Sequence, residues 1–202
     1  MVKQRLKIRE VAADGQCLFN SVAFLMLHYN NNSTKNYKEL ATKLRKAVCD
    51  KLSKQVDEEK KIPFNRRSII HALSVSLDDI TDNPNIDPNN ENSITKRAEK
   101  YIRLMRRKAT WGGMLEVSKL HEIVQEQGFK GIKVYRLKRE KLKNNKVTGM
   151  VHVGKLYQIR SGMDNPVNNR KTKPVLDIIL HNADQGGNHY DPLLQVTRKV
   201  GK

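Results

Sequence analysis

The 202-residue sequence predicts a single α+β domain, a small central β-sheet flanked by helices, and three observations point there. Before Gly128, apolar residues recur mostly at three- and four-residue steps, the period of amphipathic helices. After Gly128 the pattern changes to short runs rich in Val, Ile, Leu and Tyr, as strands require. A hydrophobic content of 38% over this length suffices for one compact core. The expected domain is 1–202, with a core at about 5–196 and a basic tail at 197–202.

Lys3 to Val11 alternates weakly through Leu6, Ile8 and Val11, which predicts a short edge strand. Leu18 to Tyr29 is an apolar helix, and Gly15 ahead of it permits a tight turn, so Cys17 falls at or near a helix N-terminus. Asn30 to Thr34 is a loop with a capping signal. Leu40, Ala41, Leu44, Val48 and Leu52 mark a long amphipathic helix from Lys35 to about Lys61, ended by Pro63.

Ser68 to Leu77 forms a short helix with Ile69, Leu73 and Leu77 on one stripe. The Asn- and Pro-rich run Asp82 to Asn92 is a loop. Ser93 to Lys108 is helical, with Ile94, Ala98, Tyr101, Ile102 and Met105 as its buried stripe, and Thr110-Trp111-Gly112-Gly113 breaks it. A further helix from about Met114 to Gln127 stops at Gly128, a good C-terminal signal. Strands are expected at Gly131–Leu137, Val151–Ile159 and Val175–His181. The last is nearly continuous in apolar character, as a strand buried on both faces should be. It leads through a loop, 182–188, to His189, with Gly186 and Gly187 either aiming that residue or simply turning the chain.

The chemistry sits at the two ends. Residues 14–19 read Asp-Gly-Gln-Cys-Leu-Phe, and 187–191 read Gly-Asn-His-Tyr-Asp. A free cysteine titrates at about 8.5 and is mostly protonated at neutral pH. A helix N-terminus favours its thiolate through unpaired N–H groups and the dipole, and an imidazolium from His189 would add to that. Asp191 lies two residues beyond His189, so in extended chain both side chains share a face and the carboxylate can fix the imidazole tautomer. Taken singly, Cys17 reads as a buried structural cysteine and His-x-Asp as an ordinary loop. Their joint occurrence with specific neighbours is what argues for a nucleophile and its base.

Asp14-Gly15-Gln16-Cys17-Leu18-Phe19 resembles the nucleophile motif of the ovarian-tumour (OTU) cysteine proteases, most of which are deubiquitinases. Tyr101 to Met105, then Thr110-Trp111-Gly112-Gly113 and Glu116, are similar to that family's central helix and Trp-Gly-Gly turn. Val175 to His181 with Asn188-His189-Tyr190-Asp191 resembles its final strand and histidine motif. The resemblance implies a papain-like OTU fold and an isopeptidase acting after the C-terminal glycine of ubiquitin, with Cys17 as nucleophile, His189 as general base and Asp191 orienting it. It also implies an oxyanion loop of Asp14, Gly15 and Gln16, in which Asp14 either takes a catalytic part or holds the Gly15 corner as an Asx-type turn. Trp111, Gly112, Gly113, Asn188 and Tyr190 become candidates for lining the path of a slim Gly-Gly tail, although core packing is the stronger reading of Trp111 and Tyr190. The family uses the region around 65–95 to hold ubiquitin. The expected partners are ubiquitin or polyubiquitin chains, with no cofactor and no metal, and a monomer.

Other classes fit less well. Gly149 to Lys155 matches most of a phosphate-binding loop, but Leu156 stands where a magnesium-binding hydroxyl is needed and strand follows where a helix must start. No arginine follows Cys17 to clamp a phosphate, and His and Cys never fall at zinc-ligand spacing. The 82–92 loop lacks the glycine of a calcium loop. No run approaches the ~20 apolar residues of a membrane span, and the N-terminus has no apolar signal core. Two cysteines offer no disulfide framework, so a reducing cytoplasm is expected, or the host cytosol if the source is a pathogen. The net charge of +18, with clusters at 106–108, 138–141 and 169–173, favours loose contact with nucleic acid or an anionic membrane. Aromatic residues at only 5% do not support base stacking, which leaves solvated faces as the leading reading. The competing classes are an OTU-like binding module that uses this basic surface, and a protease for another ubiquitin-like modifier.

Overall fold

The computed structural model describes residues 4–78, 81, 90–136, 173–183 and 187–197. The expected strand at 151–159, the phosphate-loop-like run, the basic clusters at 138–141 and most of 169–173, most of the 82–92 loop, Gly186 and the tail beyond 197 lie outside them.

The architecture is α+β. Helices α1 (Cys17–Tyr29), α2 (Tyr37–Glu59), α3 (Ser68–Ser76), α4 (Glu91–Met105) and α5 (Met114–Glu126) accompany strands β1 (Gln4–Ile8), β2 (Ile132–Arg136), β3 (Leu176–Ala183) and β4 (Gly187–Thr197). The sheet order is β1-β4-β3-β2, antiparallel except for the parallel β2–β3 pair. Short 3-10 turns at Thr34–Asn36 and Phe64–Arg66 precede α2 and α3.

Helix α1 is buried from Cys17 through Met26, including Asn20 and Ser21. Its sequence is apolar nearly all round, which suits a helix packed on every side. It contacts both α2 and β4. Of the expected stripe of α2, Ala41, Leu44, Val48 and Leu52 are buried and Leu40 is partly buried, with Cys49 and Val56 extending the face, and α4 buries Ile94, Ala98, Tyr101, Ile102 and Met105. The start of α4 falls at Glu91 instead of Ser93, because the side chain of Asn90 accepts the Ser93 N–H at 3.0 Å and caps the helix two residues early. At the end of α5, Gly128 takes φ +87° and Phe129 N–H reaches the Val124 carbonyl at 3.1 Å, a left-handed helix stop.

Strand β3 lies between β2 and β4, and residues 176–180 are all buried, as its nearly continuous apolar run requires. Of the expected loop, Asn182, Ala183, Gly187 and Asn188 are instead strand. Gly187 pairs with Ala183, and His189 sits opposite His181 within an antiparallel ladder. Gly, Asn, His and Asp are poor strand formers, so local propensity concealed β4. Pairing of residues 187–192 with β3 overrides it, and β1 pairs with the following residues 193–197.

Candidate active site

Three segments converge at the start of α1. The first is the turn 14–17. Gly15 takes φ +76°, and a Cβ there would fall 2.7 Å from the Ala109 and Lys108 carbonyl oxygens, so the position requires glycine twice over. One carboxylate oxygen of Asp14 accepts the Gln16 N–H at 3.1 Å and the Asn20 Nδ2 at 3.1 Å. These are the contacts of an Asx turn tied to the first turn of α1. They also engage the Gln16 N–H, one of the expected oxyanion-loop donors, inside the turn. The first-turn N–H groups of α1, beginning with Cys17, remain the donor array at this helix start.

The second segment is β4. Ser21 Oγ donates to the Tyr190 carbonyl at 2.8 Å, which fixes the strand against α1 one turn after Cys17. The period-two alternation of β4 puts His189 and Asp191 on one face. His189 Nε2 lies 3.1 Å from Asp191 Oδ1. That same oxygen accepts the Val11 N–H at 2.9 Å in a buried bond, so the chain leaving β1 orients the carboxylate. Asp191 is 3% exposed, whereas the His189 side chain retains 20%. Tyr190, on the opposite face, is 1% exposed and belongs to the core, so it packs and does not line a substrate path.

The third segment is the Trp-Gly-Gly turn. Gly112 is buried against α1; a Cβ there would meet Leu18 Cδ2 at 2.7 Å and Phe19 Cε2 at 3.4 Å. Trp111 is partly buried and packs on the core, as expected from its size. Glu116, wholly buried, accepts the Gly113 N–H at 2.7 Å with one oxygen and the Tyr101 hydroxyl at 3.0 Å with the other. Burial pushes its carboxyl above the usual range against these bonds. Asn188 lies in β4 opposite Asn182.

Cys17 is 1% exposed. Burial pushes its thiol up, and the Asp191 and Asp14 carboxylates add to that, while hydrogen bonding from the backbone of Tyr190 and of Leu18 acts in the other direction. The Tyr190 contact brings the sulfur to the strand that carries His189. Desolvation at this site opposes the ionised sulfur that the helix start was expected to favour.

Four participants escaped the sequence reading: Val11, Asn20, Ser21 and Arg45. Arg45 is 2% exposed and was legible in one respect, as a charge at position 45 amid the stripe 41, 44, 48 and 52. Among the described residues, no group of three or more His, Cys, Asp or Glu is placed to hold a metal ion, and no helix is long and apolar enough to cross a membrane.

No curated protein matches this sequence. Among solved structures, an OTU deubiquitinase from Wolbachia pipientis wMel is similar at 15% identity and a TM-score of 0.45, over 94% of this chain and 88% of that one. The family model described as OTU-like cysteine protease matches residues 12–161, a span that takes in the 14–17 turn, all five helices and β2. The chain belongs to the OTU-like cysteine protease family.

Proposed function

We propose that the protein is a thiol-dependent deubiquitinase that cleaves the isopeptide bond after the C-terminal glycine of ubiquitin. Cys17 is the nucleophile, His189 the general base and Asp191 the group that orients it. The observation carrying this reading is the His189 Nε2–Asp191 Oδ1 contact at 3.1 Å, on a strand bonded to the helix that Cys17 begins.

With Nε2 turned to Asp191, His189 offers Nδ1 for proton transfer. The proton of the Cys17 thiol passes to Nδ1 as the sulfur attacks the glycine carbonyl. The tetrahedral oxyanion is held by main-chain N–H groups of the first turn of α1. His189 then returns the proton to the leaving lysine amine, and water, deprotonated by the same ring, releases the glycine carboxylate from the thioester. Asp191 stays ionised and stabilises the imidazolium. Trp111, Gly112, Gly113 and Asn188 border the path of a slender tail. No metal or cofactor enters the scheme.

Capture by a ubiquitin-propargylamide probe tests it. The wild type should form a covalent adduct and Cys17→Ala none. No adduct, together with salt-sensitive retention of RNA, would instead identify a binding module. Probes built on other ubiquitin-like modifiers separate those substrates from ubiquitin, and a panel of the eight diubiquitin linkages reads linkage preference.

A further inference from the structure

Arg45 projects from the middle of α2 into the space between the nucleophile turn and the end of α4. Its Nη2 donates to the Gly15 carbonyl at 2.7 Å, and its Nη1 reaches the carbonyls of Met105 at 2.7 Å, Arg107 at 2.9 Å and Thr110 at 2.9 Å. The guanidinium carbon lies 4.4 Å above the Phe19 ring of α1. The cation thus faces carbonyl dipoles and an aromatic face.

We propose that Arg45 is a positioning residue for Cys17: it locks the Gly15–Gln16 peptide so that α1 presents the sulfur in one orientation. This rests on the protease reading above. That peptide unit is held from both edges, by Arg45 at the Gly15 oxygen and by Asp14 at the Gln16 N–H at 3.1 Å. A flip of the peptide would break both bonds at once and disturb the start of α1 at the next residue. The second nitrogen ties the same turn to the 105–110 segment, which leads into Trp111 and Gly112. One planar group therefore sets the spacing of two segments that border the thiol.

A purely structural role is the alternative. Arg45 lies at the C-terminal end of α4, where any cation satisfies orphan carbonyls and the helix dipole. Lysine could do that, but its point charge cannot fork between Gly15 and the α4 end. Stability alone does not demand a buried guanidinium, since well-packed apolar groups often replace buried charges without loss.

The test compares Arg45→Lys with wild type and with Val124→Ala, a destabilising change in the core of α5. Steady-state cleavage of a ubiquitin C-terminal fluorogenic substrate and the pH profile of Cys17 alkylation by iodoacetamide are measured at a temperature where all are folded. Support is a fall in kcat of at least tenfold with KM within twofold, a displaced alkylation profile, and neither change in Val124→Ala. A kcat within twofold of wild type with an unchanged profile overturns the proposal and leaves Arg45 as a helix cap. If Arg45→Lys does not fold, Arg45→Met, which keeps an unbranched side chain but removes the fork, takes its place. The same selective loss of kcat then supports the proposal, and unimpaired kcat overturns it. A wild type that cleaves no ubiquitin sinks the functional reading instead, and the alkylation profile, which needs no ubiquitin, still decides the role of Arg45.

Discussion

A single carboxylate oxygen of Asp191 bonds both the His189 ring, at 3.1 Å, and the Val11 main-chain N–H, at 2.9 Å. The first chain segment after β1 thereby aims an imidazole nearly the whole length of the sequence away. Separating the two bonds by substitution separates orientation from stability.

Asp191→Asn retains an oxygen for the Val11 N–H but removes the charge that stabilises the imidazolium. Ubiquitin hydrolysis should fall by about 10²–10⁴-fold in kcat, by analogy with loss of the carboxylate from a catalytic triad, while denaturant midpoints stay close to wild type. Asp191→Ala should lose activity similarly and also about 1–3 kcal/mol of stability, because a buried N–H is left without its partner. Equal activity in Asp191→Asn and wild type would show that the carboxylate has no part in the chemistry.

Ser21→Ala removes the 2.8 Å bond that seats β4 on α1. The expected cost is about 1 kcal/mol, or a melting shift of about 2–4 °C for a chain of this size. A several-fold drop in kcat should accompany it, because the sulfur and the imidazole are carried by the two elements this bond joins. Calorimetry and steady-state kinetics on the same preparation check both.

Glu116→Ala removes a carboxylate with 0% exposure that accepts from both the Gly113 N–H and the Tyr101 hydroxyl. A loss of about 2–4 kcal/mol follows. Glu116→Gln keeps one acceptor oxygen and should lose clearly less, so chemical denaturation that ranks the two variants equally would contradict this account.

Alkaline stability should carry the signature of Cys49. Burial pushes its thiol up from 9.0 to about 11, with nearby Glu116 and Asp50 adding to the shift and Arg106 and Arg45 opposing it. The unfolded chain therefore releases this proton before the folded chain does. The stability held by the neutral thiol is whole below about pH 9 and is lost as pH rises towards 11. In Cys49→Ala that alkaline decline should be shallower than in wild type, which urea melts between pH 8 and 11 would reveal.

Helices α2, α3 and α4 were legible because each keeps a regular apolar stripe, and periodicity survives without knowledge of any partner, while α5 was marked by its stop at Gly128. Helix α1 could be read from its mostly apolar run, and β3 likewise. The start of β4 was not legible: Gly187, Asn188, His189 and Asp191 carry no strand preference, and only pairing with β3 extends them. The contacts of Asp14 were half-read, since an Asx turn is local, but its bond to Asn20 needs the helix in place.

What the sequence determined by itself was the family: a cysteine ahead of an apolar helix, a distant His-x-Asp, and the motifs between them, all written in residue identity and spacing. The tertiary structure alone decided the burial of the sulfur and the hydrogen-bond partners. Desolvation of Cys17 depends on everything packed around it, and the bonds of Asp191 to Val11 and of Arg45 to Gly15 join residues 180 and 30 positions apart. Such contacts leave no local pattern, because their cost and their benefit arise only once the core has closed.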